Sequence, residues 1–395
     1  MSEISPEAMK KLRIRSRLAH LGRDSKLTQG FVNMPSYRGS TVLFPDLATF
    51  RKLDQPYAYG THGTPTSRAL CEAWSQLSGA AGTVLLPSGL AAIALSFMTA
   101  VGAGDHLLVT DAAYQPARSI CNTLLKRMGV ETTYYDPEIG AGIAALIRDN
   151  TRAIFVEAPG SESLAMQDVP AITAAAHARD VCVIADNTWA TPLLFRPHEH
   201  GADMVVEAGT KYLSGHSDLL LGLISANEKW YRRLYRTVDS LALLPGPDEI
   251  TLALRGLRTM ELRLREAERQ ALDLARWLAA RAEVLHVIHP AMPDYPGHEI
   301  WKRDFSGSSG LFSIVLKPVG EAAIAAMLDG LELFGMGFSW GGYISLVIPF
   351  DCSKYRTATS WAPGGPTLRF SVGLEDIDDL KDDLDRGFAR LRATA

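Results

Sequence analysis

The chain of 395 residues carries a formal net charge of −4, with 47% hydrophobic and 21% charged residues. This balance is typical of a globular protein with two or three packed lobes, and the negative charge argues against a nucleic-acid partner. The four cysteines stand singly, which argues against a disulfide framework or a zinc site and favours a cytosolic protein.

Residues 1–62 are predicted to form an N-terminal arm, because Pro35, Pro45 and Pro56 discourage continuous secondary structure. The start of the arm has no apolar run of the kind that a secretory signal needs, so we expect no such signal. Its basic cluster at residues 10–17 is predicted to be the solvated face of a helix.

Residues 63–257 are predicted to form a large α/β domain, because short apolar runs alternate with amphipathic stretches of helical length. This pattern favours a mostly parallel sheet with helices on both faces. Pro87-Ser88-Gly89 interrupts the apolar stretch 84–101, which therefore predicts a strand, a turn and a helix rather than a membrane span. The predicted strands are Thr83–Leu86, His106–Thr110, Thr132–Tyr135, Ala153–Glu157, Val181–Ala185, Met204–Glu207 and Leu219–Ser225. Helices are predicted at Leu90–Ala100, Tyr114–Met128 and Val169–Arg179.

Residues 258–395 are predicted to form a smaller C-terminal α+β domain. One long helical segment, roughly Pro247 to Arg281, leads into it. The predicted strands of this domain are Gly310–Leu316, Tyr343–Ile348 and Leu368–Gly373, and its predicted helices lie near Glu321–Asp329 and Ile377–Arg392.

Three segments of the large domain place reactive groups at the ends of predicted strands. Gly89 and Leu90 begin a helix, where free N–H groups bind anions, although a plain turn is the alternative. Asp186 could pair with a cationic ring nitrogen, bind a metal or cap the following segment. Lys211 is either an exposed loop lysine or, if desolvated, an amine nucleophile.

The segment Asp203–Ser217, with Thr210-Lys211-Tyr212-Leu213-Ser214-Gly215-His216-Ser217 at its end, resembles the signature of the Cys/Met-metabolism enzymes that use pyridoxal 5′-phosphate (PLP). The resemblance extends over nearly the whole chain. Further matching runs are Tyr59-Gly60, Gly63-Thr64-Pro65-Thr66, Asp186-Asn187-Thr188-Trp189, Arg255-Gly256-Leu257-Arg258-Thr259 and Gly342-Tyr343. Within the family, residues 298–313, 339–343 and 373–376 are most similar to the bacterial cystathionine β-lyases.

This resemblance implies PLP fold type I, the aspartate-aminotransferase-like fold, and a carbon–sulfur lyase. The implied reaction is β-elimination of L-cystathionine to homocysteine, pyruvate and ammonia, in methionine biosynthesis. Lys211 would hold the cofactor as an imine and shuttle the α-proton of the substrate. Asp186 would pair with the pyridine nitrogen, and Tyr114 would stack on the ring.

The resemblance also implies a phosphate site at the backbone of Gly89 and Leu90 and at the hydroxyl of Thr210. One place where the family often has a phosphate-binding hydroxyl is Ala208 here. Together with Thr61, which stands where the family usually has a phosphate-binding arginine, this departure is expected to lower cofactor affinity.

Tyr59 matches a family tyrosine that acts across a subunit boundary, which implies a homotetramer built as a dimer of dimers. The arginine that usually follows two residues later is replaced by Thr61. His62 is then the candidate that meets the phosphate charge of the neighbouring subunit.

Arg369 matches the arginine that binds the substrate carboxylate, since a guanidinium forms two parallel bonds to such a group. Ser339 and Trp340 would line the same substrate pocket. Phe338 stands where related β-lyases can have tyrosine, so any hydroxyl role is absent there.

Several alternatives stay open from the sequence. A γ-eliminating or γ-replacing enzyme of the same family, such as a methionine γ-lyase or a cystathionine γ-synthase, is the nearest rival. A catalytically silent regulatory protein is the rival from another class, and racemisation could be a side activity. His198-Glu199-His200 has no third ligand at a suitable spacing, so we predict no metal site.

Overall fold

Seven strands form the larger sheet of the computed structural model, which describes residues 4–395. They are β1 (Gly82–Leu86), β2 (His106–Thr110), β3 (Glu131–Tyr135), β4 (Thr151–Glu157), β5 (Cys182–Asp186), β6 (Met204–Ala208) and β7 (Gly222–Ala226). Their order is β1-β7-β6-β5-β4-β2-β3, and β7 runs opposite to the other six. The mostly parallel sheet predicted from the sequence is confirmed.

Four strands form the smaller sheet, which is antiparallel throughout. They are β8 (Val284–Ile288), β9 (Leu311–Leu316), β10 (Leu346–Phe350) and β11 (Thr367–Ser371), in the order β10-β11-β9-β8. The large and small sheets fit the predicted α/β and α+β parts, while the boundaries at residues 62 and 257 stay predictions.

Helices surround both sheets. In the described part of the chain they are α1 (Pro6–Lys11), α2 (Ile14–His20), α3 (Ser25–Thr28), α4 (Leu47–Lys52), α5 (Pro65–Ser78), α6 (Gly89–Ala100), α7 (Gln115–Ile120), α8 (Val169–His177), α9 (Thr191–Leu194), α10 (Glu228–Leu241), α11 (Pro247–Leu257), α12 (Met260–Ala279), α13 (His298–Asp304), α14 (Glu321–Leu328) and α15 (Ile377–Thr394). None of the helices in residues 4–395 combines the length and the apolar character needed to cross a bilayer.

The large sheet is buried on both faces, because successive residues of a strand point to opposite sides. Ile154 and Val183 belong to a core that continues into the small sheet. Their neighbours Phe155 and Ile184 belong to a second core beneath α6. The carboxyl ends of β4, β5 and β6 therefore open toward α6, α7 and the small domain.

The predicted long helix at 247–281 is wrong in one respect, because it is two helices. Thr259 leaves the helical conformation at φ −111° and ψ 4°, between α11 and α12. The break lets α11 pack on α5 and lets α12 pack on β8. Neither Arg258 nor Thr259 is a strong helix breaker, so the local sequence does not signal the break.

Two strands of the small sheet also differ from the prediction. The strand predicted at Tyr343–Ile348 begins at Leu346, because Tyr343 and Ser345 bond instead to Leu374 and Glu375. β8 was not predicted, since its residues do not alternate regularly between buried and exposed and a register shift interrupts the strand.

The arm contains more regular structure than its prolines predict, with the short helices α1 to α4. Leu18 and Leu21 are buried against α5 and α11. Both of their carbonyls accept hydrogen bonds of 2.6 Å from Arg258. The arm is thus anchored to the large domain through side chains that are distant in sequence.

Candidate active site

Asp186 ends β5 and Glu157 ends β4, and the two residues are paired in the parallel register. Asp186 Oδ1 accepts hydrogen bonds from the Thr188 amide at 2.9 Å and from its hydroxyl at 2.5 Å. No described group donates to Asp186 Oδ2, which leaves an acceptor available to a ligand. Burial raises the pKa of Asp186, whereas the Thr188 hydrogen bonds and the charge of Lys211 oppose the rise.

Lys211 lies in the turn after β6, with its side chain turned into the protein. Its Nζ donates a 2.6 Å hydrogen bond to Ser339 Oγ and lies 5.2 Å from the ring centre of Trp340. Burial, reinforced by the charge of Arg369, lowers the pKa of Lys211 to about 8. About one tenth of this amine is therefore unprotonated at pH 7, far more than for an exposed loop lysine.

Ser339 connects Lys211 to Arg369. Its carbonyl accepts a 3.0 Å hydrogen bond from Arg369 Nη2, and its hydroxyl accepts the bond from Lys211. Ser339 has φ +77°, which is unusual for a residue other than glycine. The two bonds fix this strained residue so that the amine and the guanidinium face the same pocket.

Arg369 lies on β11 and is only 9% exposed, yet its Nε has no hydrogen-bond partner among the described residues. A buried N–H group without a partner is costly unless a ligand satisfies it. Burial also lowers the pKa of Arg369. This donor is thus available for a carboxylate, as the sequence resemblance implies.

Gly89 and Leu90 begin α6, and the Ser88 side chain caps the helix by accepting from the Ala91 amide at 3.1 Å. The cap leaves the N–H groups of the first helical residues without partners inside the helix. A Cβ atom on Gly89 would lie 2.6 Å from Ala208 Cβ, so the end of β6 packs directly against this helix start.

Thr210 lies in the turn after β6, and its hydroxyl is engaged by the backbone of Leu221. Its Oγ1 accepts from the Leu221 amide at 3.0 Å and donates to the Leu221 carbonyl at 3.3 Å. A hydroxyl has one proton to donate. An anion bound there would take the place of the Leu221 carbonyl as its acceptor.

Tyr114 precedes α7, and its backbone amide donates a 2.8 Å bond to Glu157 Oε2. The side chain is 45% exposed, so one face of the ring is open to a ligand. Burial, with the charge of Glu157, raises the pKa of the Tyr114 hydroxyl. Burial and the charge of Asp186 likewise raise the pKa of Glu157 well above its usual range.

Trp340 follows Ser339 and packs on Tyr212, with 5.5 Å between the ring centres. Phe338 is 91% exposed, so its ring contributes little to the pocket of this chain. The neighbouring Ser339 and Trp340 are the residues of this loop that reach Lys211.

Tyr59 and His62 line clefts that are separate from the pocket around Lys211 and Asp186. Tyr59 lines a cleft of about 480 Å³ between the arm and α11, and His62 lines a second cleft beside α10. His62 Nε2 lies 3.6 Å from Asp239 Oδ1. Neither cleft includes Lys211 or Asp186 in its lining. Within one chain, these two predicted residues do not join the group around Lys211. This group, called the Lys211 cluster, consists of Gly89, Leu90, Tyr114, Asp186, Thr210, Lys211, Ser339 and Arg369.

A strap from the small domain, residues 352–359, crosses the large domain near Tyr114. Buried Asp111 pairs with Arg118 at 2.8 Å, and it also accepts from the amides of Thr357, Ala358 and Thr359. Breaking a buried ion pair of this kind by removing one partner costs about 3–5 kcal/mol. The strap is therefore held firmly against the site.

Glu157 and Glu162 are the acidic groups at this site that sequence reasoning missed. Glu157 could have been found, because it ends a predicted strand beside the one that Asp186 follows. Glu162 lies in the loop after β4 with φ +59°, and no local pattern predicts where its side chain goes.

His198 belongs to a short turn, and both of its ring nitrogens are used inside the protein. Nδ1 lies 2.9 Å from the Ala202 carbonyl and Nε2 lies 3.0 Å from Ser225 Oγ. Burial lowers the pKa of His198. Among residues 4–395, no group of three or more His, Cys, Asp or Glu side chains is arranged to hold a metal ion.

Residues 15–389 match the sequence family described as Cys/Met metabolism PLP-dependent enzyme. The chain belongs to this family. It is 50% identical over 384 residues to a putative cystathionine β-lyase of Rhizobium johnstonii, covering 96% of this chain and 97% of that protein. It is 40% identical over 387 residues to the cystathionine β-lyase of Escherichia coli, covering 95% and 98% of the two chains.

A solved family structure has the same fold. The cystathionine γ-synthase from Xanthomonas oryzae pv. oryzae, in complex with cystathionine, superposes with a TM-score of 0.89 at 30% identity. The alignment covers 97% of this chain and all of that one. These findings confirm the predicted fold class, the family and PLP as the cofactor.

The residues at the strand ends fit PLP chemically. The unprotonated amine of Lys211 suits an aldehyde, and the free oxygen of Asp186 suits a protonated ring nitrogen. The free amides at the start of α6 suit a phosphate group. These groups thus complement the aldehyde, the ring nitrogen and the phosphate of the family cofactor.

Proposed function

We propose that the protein is a carbon–sulfur lyase that catalyses β-elimination of L-cystathionine. The balanced reaction is L-cystathionine plus water giving homocysteine, pyruvate and ammonia. The observation that carries the proposal is the link through Ser339, which places the Lys211 amine beside the Arg369 guanidinium. An amino acid held at Arg369 by its carboxylate would present its Cα–H to that amine.

We assign the cofactor contacts to residues of the Lys211 cluster. Lys211 would bind PLP covalently, Asp186 would pair with its ring nitrogen, and Tyr114 would stack on its ring. The N–H groups of Gly89 and Leu90, with the hydroxyl of Thr210, would hold the phosphate. When bound, PLP supplies an electron sink for the negative charge that develops at Cα.

Arg369 and Lys211 would have different roles toward the substrate. Arg369 would bind the α-carboxylate and satisfy its unpartnered Nε. Once the amino group of the substrate has displaced it from the cofactor, Lys211 Nζ, with its pKa lowered to about 8, would accept the Cα proton as a general base. Ser339 would hold the amine in place, and Trp340 would line the leaving-group side. Breakage of the carbon–sulfur bond would then release homocysteine, whose sulfur takes the proton held by Lys211. Water would convert the remaining three-carbon fragment to pyruvate and ammonia.

The test is incubation of the PLP-loaded protein with L-cystathionine and identification of the keto acid. We expect pyruvate in amounts equal to homocysteine, and no turnover by Lys211→Ala. If 2-oxobutanoate and cysteine form instead, the γ-eliminating alternative holds. A protein that stays colourless after addition of PLP would support the catalytically silent alternative.

The oligomer and the compartment are proposals as well. Tyr59 and His62 lie away from the Lys211 cluster of their own chain, which supports a role at the cofactor of a neighbouring subunit. We therefore propose a homotetramer built from two dimers, with His62 near the phosphate. The cytosolic location stays a prediction, and the structure has all four cysteines unpaired.

A further inference from the structure

Glu162 is a carboxylate at the substrate pocket to which the proposed reaction assigns no role. Its backbone carbonyl accepts a 3.1 Å bond from Ser313 Oγ, and Ser313 pairs with Arg369 across β9 and β11. The loop that carries Glu162 is thereby tied to the strand neighbour of the carboxylate-binding arginine.

The strap fixes one oxygen of Glu162 and leaves the other available. Tyr355 donates a 2.6 Å hydrogen bond to Glu162 Oε2 and also contacts Cys352 Sγ at 3.2 Å. Among residues 4–395, no group donates to Glu162 Oε1, and Glu162 forms no ion pair. Its side chain is half-buried, so the free oxygen is open to a ligand.

Once a substrate binds to Arg369, no positively charged side chain among the described residues of the pocket is left to pair with Glu162. Glu162 interacts electrostatically with Arg369 and with Tyr114, which places it beside the site. When Arg369 pairs with the substrate carboxylate, that carboxylate neutralises its positive charge. A second positive charge on the substrate would then be stabilised by Glu162.

We propose that Glu162 selects substrates whose leaving group carries an ammonium group, and that Tyr355 positions it. This inference rests on the proposed β-elimination and names the substrate class more narrowly. The homocysteine half of cystathionine has such an amine. Simple S-alkyl cysteines do not, so they would lack this contact.

A comparison of two substrates distinguishes recognition of the ammonium group by Glu162 from a general structural effect of this residue. L-cystathionine has the distal amine, and S-(3-carboxypropyl)-L-cysteine has the same chain and carboxylate without it. Both release pyruvate on β-elimination, so one assay serves for both. In Glu162→Gln the amide oxygen can still accept from Tyr355, while the negative charge is lost and the free acceptor oxygen becomes an NH2 donor.

We expect Glu162→Gln to lower kcat/KM for cystathionine by about 10- to 100-fold, the usual effect of a charged hydrogen bond, and to change the carboxypropyl analogue little. Tyr355→Phe should also lower the ratio of kcat/KM for cystathionine to kcat/KM for the carboxypropyl analogue, by a smaller factor. Because each ratio is measured in one preparation of PLP-loaded enzyme, any loss of folded protein cancels. Glu321→Gln, at the exposed start of α14, should leave the ratio unchanged.

An equal loss for both substrates in Glu162→Gln would overturn the proposal, because the residue would then act on Arg369 or on the fold. No loss with cystathionine would overturn it too. Failure of the reaction itself has a different signature, in which the wild-type enzyme releases pyruvate from neither substrate.

Discussion

Lys211 shows how burial converts a common residue into a reactive one. Its amine loses solvent at the end of β6, and the positive charge of Arg369 adds to that effect. Asp186 acts in the opposite direction, but the net result is a pKa of about 8 for Lys211. The same side chain on the surface would titrate about two units higher.

The lowered pKa predicts the pH dependence of cofactor capture by the apoprotein. Only the unprotonated amine attacks the aldehyde of PLP, so the rate should rise with pH and level off above about 8. Stopped-flow absorbance after mixing apoprotein with PLP measures this rate, with Lys211→Ala as the unreactive control. A rate that keeps rising toward pH 10 would show an ordinary lysine.

Arg369→Lys tests whether the fork of two donors matters at the carboxylate. Lysine keeps the positive charge and loses the parallel pair of bonds, so we expect kcat/KM for cystathionine to fall by about 100-fold. The measurement is steady-state pyruvate release. Arg179→Lys, on the exposed surface after α8, is the matched control and should behave as wild type. Retention of full activity in Arg369→Lys would exclude a bidentate role.

At the scale of elements, the contact between α6 and β6 builds the phosphate end of the site. Gly89 is required there by a close approach rather than by an unusual φ, since a Cβ atom would lie 2.6 Å from Ala208 Cβ. Ala208, one of the residues that depart from the family pattern, is thus the residue that the start of α6 packs against.

Gly89→Ala should push the start of α6 away from β6 and weaken PLP binding at least tenfold, since the bonding amides move. Titration of the apoprotein with PLP, followed by absorbance, gives the dissociation constant. Gly320→Ala is the control, because nothing lies within 4 Å of the added carbon. Ala208→Gly in the same chain should partly restore affinity, and failure of that rescue would contradict the steric explanation.

Elements with a regular pattern were predictable, and those shaped by distant partners were not. All seven strands of the large sheet were predicted with shifts of up to three residues at their ends. Most of them are short apolar runs between helices, a pattern that few other structures accommodate. The break between α11 and α12 was missed because Arg258 is drawn to the carbonyls of Leu18 and Leu21 in the arm. β8 was missed because its register shift removes the alternation.

On the scale of the whole molecule, the arm carries Tyr59 and His62 away from the cofactor site of their own chain. In a symmetric dimer each copy presents the same surface to the other, so residues far from their own site can lie at the site of the second copy. A dimer at least is therefore part of the proposed catalytic unit, and the hypothesis can be tested by mixing inactive subunits.

Lys211→Ala subunits mixed with Tyr59→Ala subunits should regain about one quarter of wild-type activity, because half of the dimers are hybrids with one complete site each. The measurement is pyruvate release after co-refolding or co-expression. Lys211→Ala mixed with Asp186→Ala is the matched control and should stay inactive, since both residues serve the same chain's site. No gain in the first mixture would place Tyr59 outside the neighbouring site.

The amino-acid sequence alone was enough to predict the family, the fold class and the residues at the strand ends. Lys211, Asp186 and Gly89 each lie within a few residues of the carboxyl end of a buried strand. In sheets of this kind, ligands bind at the edge formed by those carboxyl ends. Position in a regular element is a local property, so a single sequence can specify it.

Which of these groups contact one another depends on the tertiary structure. Ser339 reaches Lys211 across 128 residues, and Tyr355 reaches Glu162 across 193. Such contacts depend on how the small domain and its strap pack on the large sheet, and no short segment encodes that arrangement. The lowered pKa of Lys211 follows from the same packing, because burial and the nearby guanidinium exist only in the folded chain.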